Sequence, residues 1–148
     1  MAAGAWVVYN EAKLALGKKL MNLSATDSIK MALFLSTSNA GSAALATAQY
    51  ATLTNQVAGS YGYTAGGVAC AQTFSNAAGT ETFDVADASW TASGGSITAR
   101  FAVLYDDTAA NKDLIAYCLL DSAPADVTVT DGNTLSIQIN PLGVFTIA

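Results

Sequence analysis

Two apolar runs separated by a short polar loop constrain this chain more than any other feature. Residues 90–107, WTASGGSITARFAVLYDD, read as a strand end at Trp90, a turn at Gly94-Gly95 and a long apolar strand that stops at Asp106 and Asp107. After the loop DDTAANKD comes a second apolar run, Leu114 to Leu120, LIAYCLL. The first run reads as a long apolar strand and the second as its partner. Together they predict a central hairpin in a β-rich domain.

The rest of the chain fits around that hairpin. Residues 5–20 place Trp6, Tyr9, Ala12, Leu16 and Leu20 at three- and four-residue steps, which predicts an N-terminal helix or arm over 1–22. Ile29, Met31, Leu33 and Leu35 alternate as in a strand, and 36–46 reads as a surface loop. Residues 47–57 suggest a short second helix with Tyr50, Leu53 and Val57 inward. A glycine- and tyrosine-rich loop follows at 59–67, with Tyr61 and Tyr63 as exposed contact residues. Strands are expected at 68–75, 81–85, 126–130, 134–139 and 144–147, with a turn at 76–79. The tight turn Asp131-Gly132-Asn133 predicts that 126–130 and 134–139 pair with each other as a second hairpin. The resulting expectation is a single mainly β domain over 1–148 with its β-rich body at 28–148. Its architecture is an antiparallel β-sandwich or jelly-roll-like barrel carrying the N-terminal helix and one short second helix.

Charge and composition narrow the function. Charged residues make up 11% of the 148 positions against roughly 25% in an average soluble domain. A surface so poor in charge suits a protein that buries part of its outside against neighbours. The net charge is −5 and the six basic residues are scattered, so neither nucleic acid nor an anionic membrane finds a clustered positive footprint. No segment approaches the roughly 20 apolar residues of a membrane span, and no secretory signal is read at the N-terminus. Cys70 and Cys118 lie in apolar runs and are expected as buried free thiols.

The chain contains no histidine, which removes the usual catalytic triads and imidazole metal sites. Its Gly-Gly pairs lack the lysine and spacing of a phosphate loop. Asp106, Asp107 and Asp113 could offer oxygen ligands to Ca²⁺, but they do not follow EF-hand spacing, and a solvated turn explains them more simply. No catalytic, cofactor or metal site is therefore assigned. Two residues are ambiguous. Trp90 reads as a core anchor. Arg100, set in an apolar strand, either marks a solvent-exposed face that could meet another subunit, the favoured reading, or pairs with a carboxylate in the fold or across an interface.

The chain resembles a family of small tailed-phage virion proteins. The resemblance is carried by AWVVYNEAKLALG, ATDSIKMALFLSTS, the segments Tyr50 to Ala58 and Gly62 to Gly67, the long stretch FDVADASWTASGGSITARFAVLYDDTAANKDLIAY and the closing DGNTLSIQI. It implies a non-enzymatic structural protein, foremost a capsid decoration or cement protein on the outside of the shell. The implied partner is the major capsid protein, and the implied state is a homo-oligomer such as a trimer. A neck, tail or fibre component shares the same resemblance. Trp6, Tyr9, Tyr61, Tyr63, Arg100, Asp106 and Asp107 are the candidate contact residues. A separate possibility is a carbohydrate- or receptor-binding β-sandwich stacking ligands on Tyr61, Tyr63 and Trp90.

Overall fold

In a computed structural model, which describes residues 3–123 and 125–148, the predicted hairpin forms the middle of a five-stranded antiparallel sheet. The first half of the chain supplies β1 (Val7–Val8), α1 (Asn10–Gly17), β2 (Ile29–Phe34), β3 (Val68–Cys70) and β4 (Gln72–Ala77). The second half supplies β5 (Thr80–Val85), β6 (Ala88–Thr91), β7 (Ile97–Ala99), β8 (Phe101–Asp106), β9 (Leu114–Leu119), β10 (Val127–Val129), β11 (Thr134–Ile137) and β12 (Phe145–Ile147). The central sheet runs β1-β9-β8-β2-β3, so β8 has a strand on either side and further sequence-distant neighbours beyond. Its residues Ala102, Val103, Leu104 and Tyr105 are all buried, which is why this stretch reads as unbroken apolar sequence.

Both faces of that sheet are covered. Phe101, Val103 and Tyr105 share one face with Tyr117 and Phe34 by register. Tyr9, Ala40 and Tyr50 lie over this side, with the Tyr50 ring stacked on Tyr105 at 4.4 Å and Tyr9 tilted on Tyr117 at 5.3 Å. The other face carries Met31, Leu33, Leu104 and Cys118. There Cys118 lines a hollow together with Ile137, Val144 and Phe145, from the C-terminal strands folded over the sheet. The buried residues form one continuous core.

The second half of the chain has a simple logic. Strand β8 pairs with β9, β7 with β10, β6 with β11 and β5 with β12, every pair antiparallel. Residues 81–147 thus form one long ribbon doubled back about the loop at 107–113, its four ladders nested inside one another. Such a wound ribbon is the connectivity of a jelly roll, although the ladders here do not close into a barrel. The ribbon bends between β6/β11 and β7/β10. At the bend the Ala92 N–H donates to the Asn133 carbonyl (2.9 Å), and the Gly132 N–H returns a bond to the Ala92 carbonyl (2.8 Å).

Several sequence expectations change in detail. The turn at Asp131-Gly132 exists, closed by the Asn133 N–H on the Thr130 carbonyl, but its two arms diverge. β10 and β11 pair with β7 and β6 and not with each other, so the second hairpin is not formed. The N-terminal helix is only eight residues long because β-branched Val7 and Val8 are recruited as an edge strand against Tyr117 and Ala116. Tyr9 therefore sits at the helix start rather than on a helical stripe, and Leu20 is exposed. The second helix shrinks to a single 3-10 turn at Tyr50–Thr52, with Tyr50 drawn onto Tyr105. The run 68–75 breaks at Ala71, which separates β3 on the central sheet from β4 on the three-stranded sheet β12-β5-β4. The expected turn at 76–79 tightens to Ala78-Gly79, both at positive φ (52° and 84°), as a two-residue hairpin of the primed type requires.

Candidate interaction surface

The residues singled out from sequence do not converge on one site. Tyr9 and Tyr63 are core residues, which corrects their reading as contact residues. The Tyr9 hydroxyl donates to the Ala40 carbonyl at 2.7 Å. The Tyr63 hydroxyl accepts from the Leu33 N–H at 3.0 Å and from the Gln56 side-chain amide at 3.0 Å. Burial is the largest cause raising the pKa of both phenols, so each is a fixed neutral hydrogen-bonding group. Trp90 packs beside Tyr63 with ring centroids 6.0 Å apart and is buried as expected. A stacking platform of Tyr61, Tyr63 and Trp90 thus loses two of its three rings to the core.

Tyr61 is the exposed member, and its loop is held at two points. The Ser93 N–H donates to the Tyr61 carbonyl at 3.1 Å, and the Tyr61 ring lies over Gly95 so closely that a Cβ there would sit 2.3 Å from it. The loop is thereby fastened to the bend of the ribbon. Trp6 is half-buried and lines the same hollow as Cys118 and Ile137.

The charged candidates serve the scaffold. Arg100 takes the intramolecular alternative: its Nε donates to Asp126 at 2.8 Å, and its backbone continues the sheet by bonding the Phe34 carbonyl. Asp106 is 1% exposed, so it is not part of an exposed tip. Its carboxylate accepts from the Thr108 and Ala109 N–H groups (2.9 and 3.2 Å) and shapes the loop that turns β8 into β9. Asp107 lies between Lys30 (2.8 Å) and Lys112, tying that loop to β2. Exposed ion pairs of this kind contribute at most about 1 kcal/mol each. Asp113 accepts the Asp106 N–H on its backbone carbonyl at 2.9 Å, and the residue lines an open hollow of about 400 Å³ bounded by α1, residues 46–49 and the 109–114 loop. Among the described residues, no three His, Cys, Asp or Glu side chains gather as a metal-ligand set.

Asp106 and Asp107 respond to pH in opposite directions. Burial, the largest cause, raises the Asp106 pKa above 3.8, partly offset by its two backbone hydrogen bonds. Lys112 and then Lys30 lower that of Asp107. The stability from Asp107 is therefore present above the unfolded carboxylate pKa and lost as pH falls through its lower folded value. For Asp106 the folded state holds the proton more tightly, so stability declines as pH rises from the unfolded pKa through the raised folded one. Asp106→Asn keeps an acceptor for both N–H groups without the buried charge. Its urea midpoint should gain on wild type from below the Asp range to neutral pH, whereas Asp107→Asn should lose ground over the same interval. Parallel behaviour of the two variants would contradict the assignment.

Cys70 and Cys118 are free and buried, with thiol pKa values pushed by burial up to about 11 and about 12. Neither supplies a thiolate near neutral pH.

Among the exposed polar residues, several large hydrophobic side chains also face solvent. Among the described residues these are Val7, Leu14, Leu20, Tyr61, Phe74, Leu142 and Ile147. Apart from Tyr61, sequence reading assigned none of them to a surface. Phe74 sits in a run that looks like an ordinary buried strand, and Leu20 belongs to the expected helical stripe. Among the described residues no helix is long and apolar enough to cross a membrane. Comparisons of the sequence with family models and curated proteins, and of the fold with solved structures, return no match.

Proposed function

We propose that this chain is a non-enzymatic structural protein of a tailed-phage particle, a decoration or cement protein that binds the outer surface of the major capsid shell. The observation that carries this reading is a charge-poor surface on which large apolar side chains stand exposed while the conspicuous polar residues serve internal scaffolding. Such a surface suits broad uncharged contact with neighbouring subunits. The sequence resemblance supplies the particle context. The compact antiparallel body and the clamped 59–67 loop support a rigid adaptor. Binding to the assembled shell and not to its dissociated subunits would stabilise the shell by mass action.

The test is to add the purified protein to major capsid shells. Electron microscopy should reveal density at regular lattice positions on the outer surface, and decorated shells should withstand a higher temperature than bare ones. Particles assembled without the protein should have a bare but otherwise complete shell. Intact capsids with missing neck, tail or fibre density would move the protein to that part of the virion. Absence from every particle would end the reading.

A further inference from the structure

We infer that two copies of this chain pair along β4, joining their three-stranded sheets into one six-stranded antiparallel sheet about a two-fold axis. The inference goes beyond the capsid assignment and does not depend on it.

Strand β4 is an edge strand with unused hydrogen-bonding capacity. The β4–β5 hairpin is closed by Ala77 opposite Thr80 across the two-residue turn. In such a hairpin the closing pair exchanges its hydrogen bonds, and bonded pairs then alternate along the ladder. Ser75 and Thr73 therefore bond β5, while the N–H and C=O groups of Phe74 and Asn76 point away from it. The register on the far side of β5 agrees: Phe83, opposite Phe74, directs its carbonyl to the Val144 N–H on the β12 side.

This edge lacks the protections that usually blunt one. β4 is six residues long, whereas the outer strands β1, β3 and β12 have only two or three. It holds no lysine, no proline and no charged residue, and the sequence from Thr73 to Ala77 is exposed throughout. Natural sheet edges of this length normally carry such residues unless something pairs with them.

The side chains favour a second copy as the occupant. Phe145, Phe83 and Phe74 form a row across the sheet on one face, with ring centroids 5.3 and 6.5 Å apart. The row begins half-buried, passes through fully buried Phe83 and ends at Phe74, which is 42% exposed at the free edge. Placing Phe74 opposite Phe74 of a second copy continues this row symmetrically across the junction. Thr73 then faces Ser75 of the other copy on the opposite side, an uncharged polar match. A strand with no charge offers no electrostatic means of selecting an acidic or basic foreign strand. It also imposes no like-charge penalty on pairing with itself, even though each copy carries a net charge of −5. The interface is isologous, so it closes at two copies and consumes both β4 edges.

Sedimentation equilibrium of the isolated full-length protein tests the inference. Wild type should behave as a dimer whose average mass halves on dilution. Phe74→Lys adds a charge to the row, and Asn76→Pro removes a donor directed away from β5. Both variants should remain single chains at concentrations where wild type is paired, with unchanged far-ultraviolet circular dichroism. If Asn76→Pro fails to fold, Phe74→Lys at its exposed position decides. A wild type that stays monomeric at every concentration overturns the inference. So does a trimer or larger ring, or a dimer that both folded variants preserve. Because no capsid is present, none of these results bears on the particle assignment.

Discussion

Replacing Gly67 by alanine is expected to destabilise the protein by more than about 4 kcal/mol, or to prevent folding altogether. Gly67 lies at φ +76°, where an L side chain is strained, but strain is the smaller part of the effect. A Cβ at this position would lie 1.8 Å from the Met31 carbonyl oxygen and 2.8 Å from the Ala32 Cα. Both atoms belong to the backbone of β2, which is hydrogen-bonded to β8 along its whole length. Relief would require moving either the middle of the central sheet or the start of β3. Gly79 is the appropriate control, because it has a similar φ of +84° and open space around its Cβ position. Gly79→Ala should therefore cost only about 1 kcal/mol, the conformational term alone. Urea denaturation of the two variants measures the difference, and equal losses would refute the close approach of Gly67 to β2.

Phe83→Ala is expected to cost about 3–5 kcal/mol. Phe83 is fully buried in the middle strand of a three-stranded sheet, and its ring packs against both Phe74 and Phe145. Removing it leaves a cavity that the flanking rings cannot fill without breaking register on both sides. Its backbone also receives the Val144 N–H, so relaxation of the strand would loosen the attachment of β12. Equilibrium unfolding followed by both tryptophan fluorescence and circular dichroism measures this loss. A change below about 1 kcal/mol would mean that the sheet opens independently of the core, as a low-stability unit.

The parts of the fold that were legible in the sequence are those dictated by local pattern. Strands β8 and β9 announce themselves as apolar runs because each is buried on both faces, and β2 because Ile29, Met31 and Leu33 alternate. The mainly β antiparallel class follows from these and from the spacing of turns. Partner choice was less legible. Asp131-Gly132-Asn133 carries a genuine turn signal, yet the flanking strands pair outward because the inner ladder β8–β9 has already brought β7 alongside β10. Nothing within 126–139 encodes that competition. Residues 5–9 likewise have helical spacing, but the free edge of β9 captures Val7 and Val8.

Tyr9 and Tyr63, expected as contact residues, lie in the core for a related reason. A tyrosine in a glycine-rich loop reads as exposed until a remote backbone group is found for its hydroxyl. For Tyr63 that group is the N–H of Leu33, and for Tyr9 it is the carbonyl of Ala40, each about 30 positions away in sequence. Charges posed the same difficulty. The isolation of Arg100 in an apolar strand was a correct anomaly, but its partner Asp126 lies across the ribbon and is not identifiable from spacing. Conversely, the exposure of Phe74 depends on β4 being the last strand of its sheet, which alternation along one strand does not reveal.

The nesting of the ribbon also bears on how a chain with so many distant pairings can assemble. Bringing Phe83 against Phe145 in a single step would close a loop spanning much of the second half of the molecule, an entropically slow encounter. Once β8 and β9 have met across their short loop, the Leu120 N–H is already bonded to the Arg100 carbonyl. The next ladder then has only the segment 121–126 left to close. Each completed ladder holds the ends for the one outside it, and β6–β11 and β5–β12 follow in the same way. On such a route the loops left to close are those between successive ladders, much shorter than the residue separations in the finished structure. The outermost pair, which carries the β4 edge beside it, is the last to be assembled along this route.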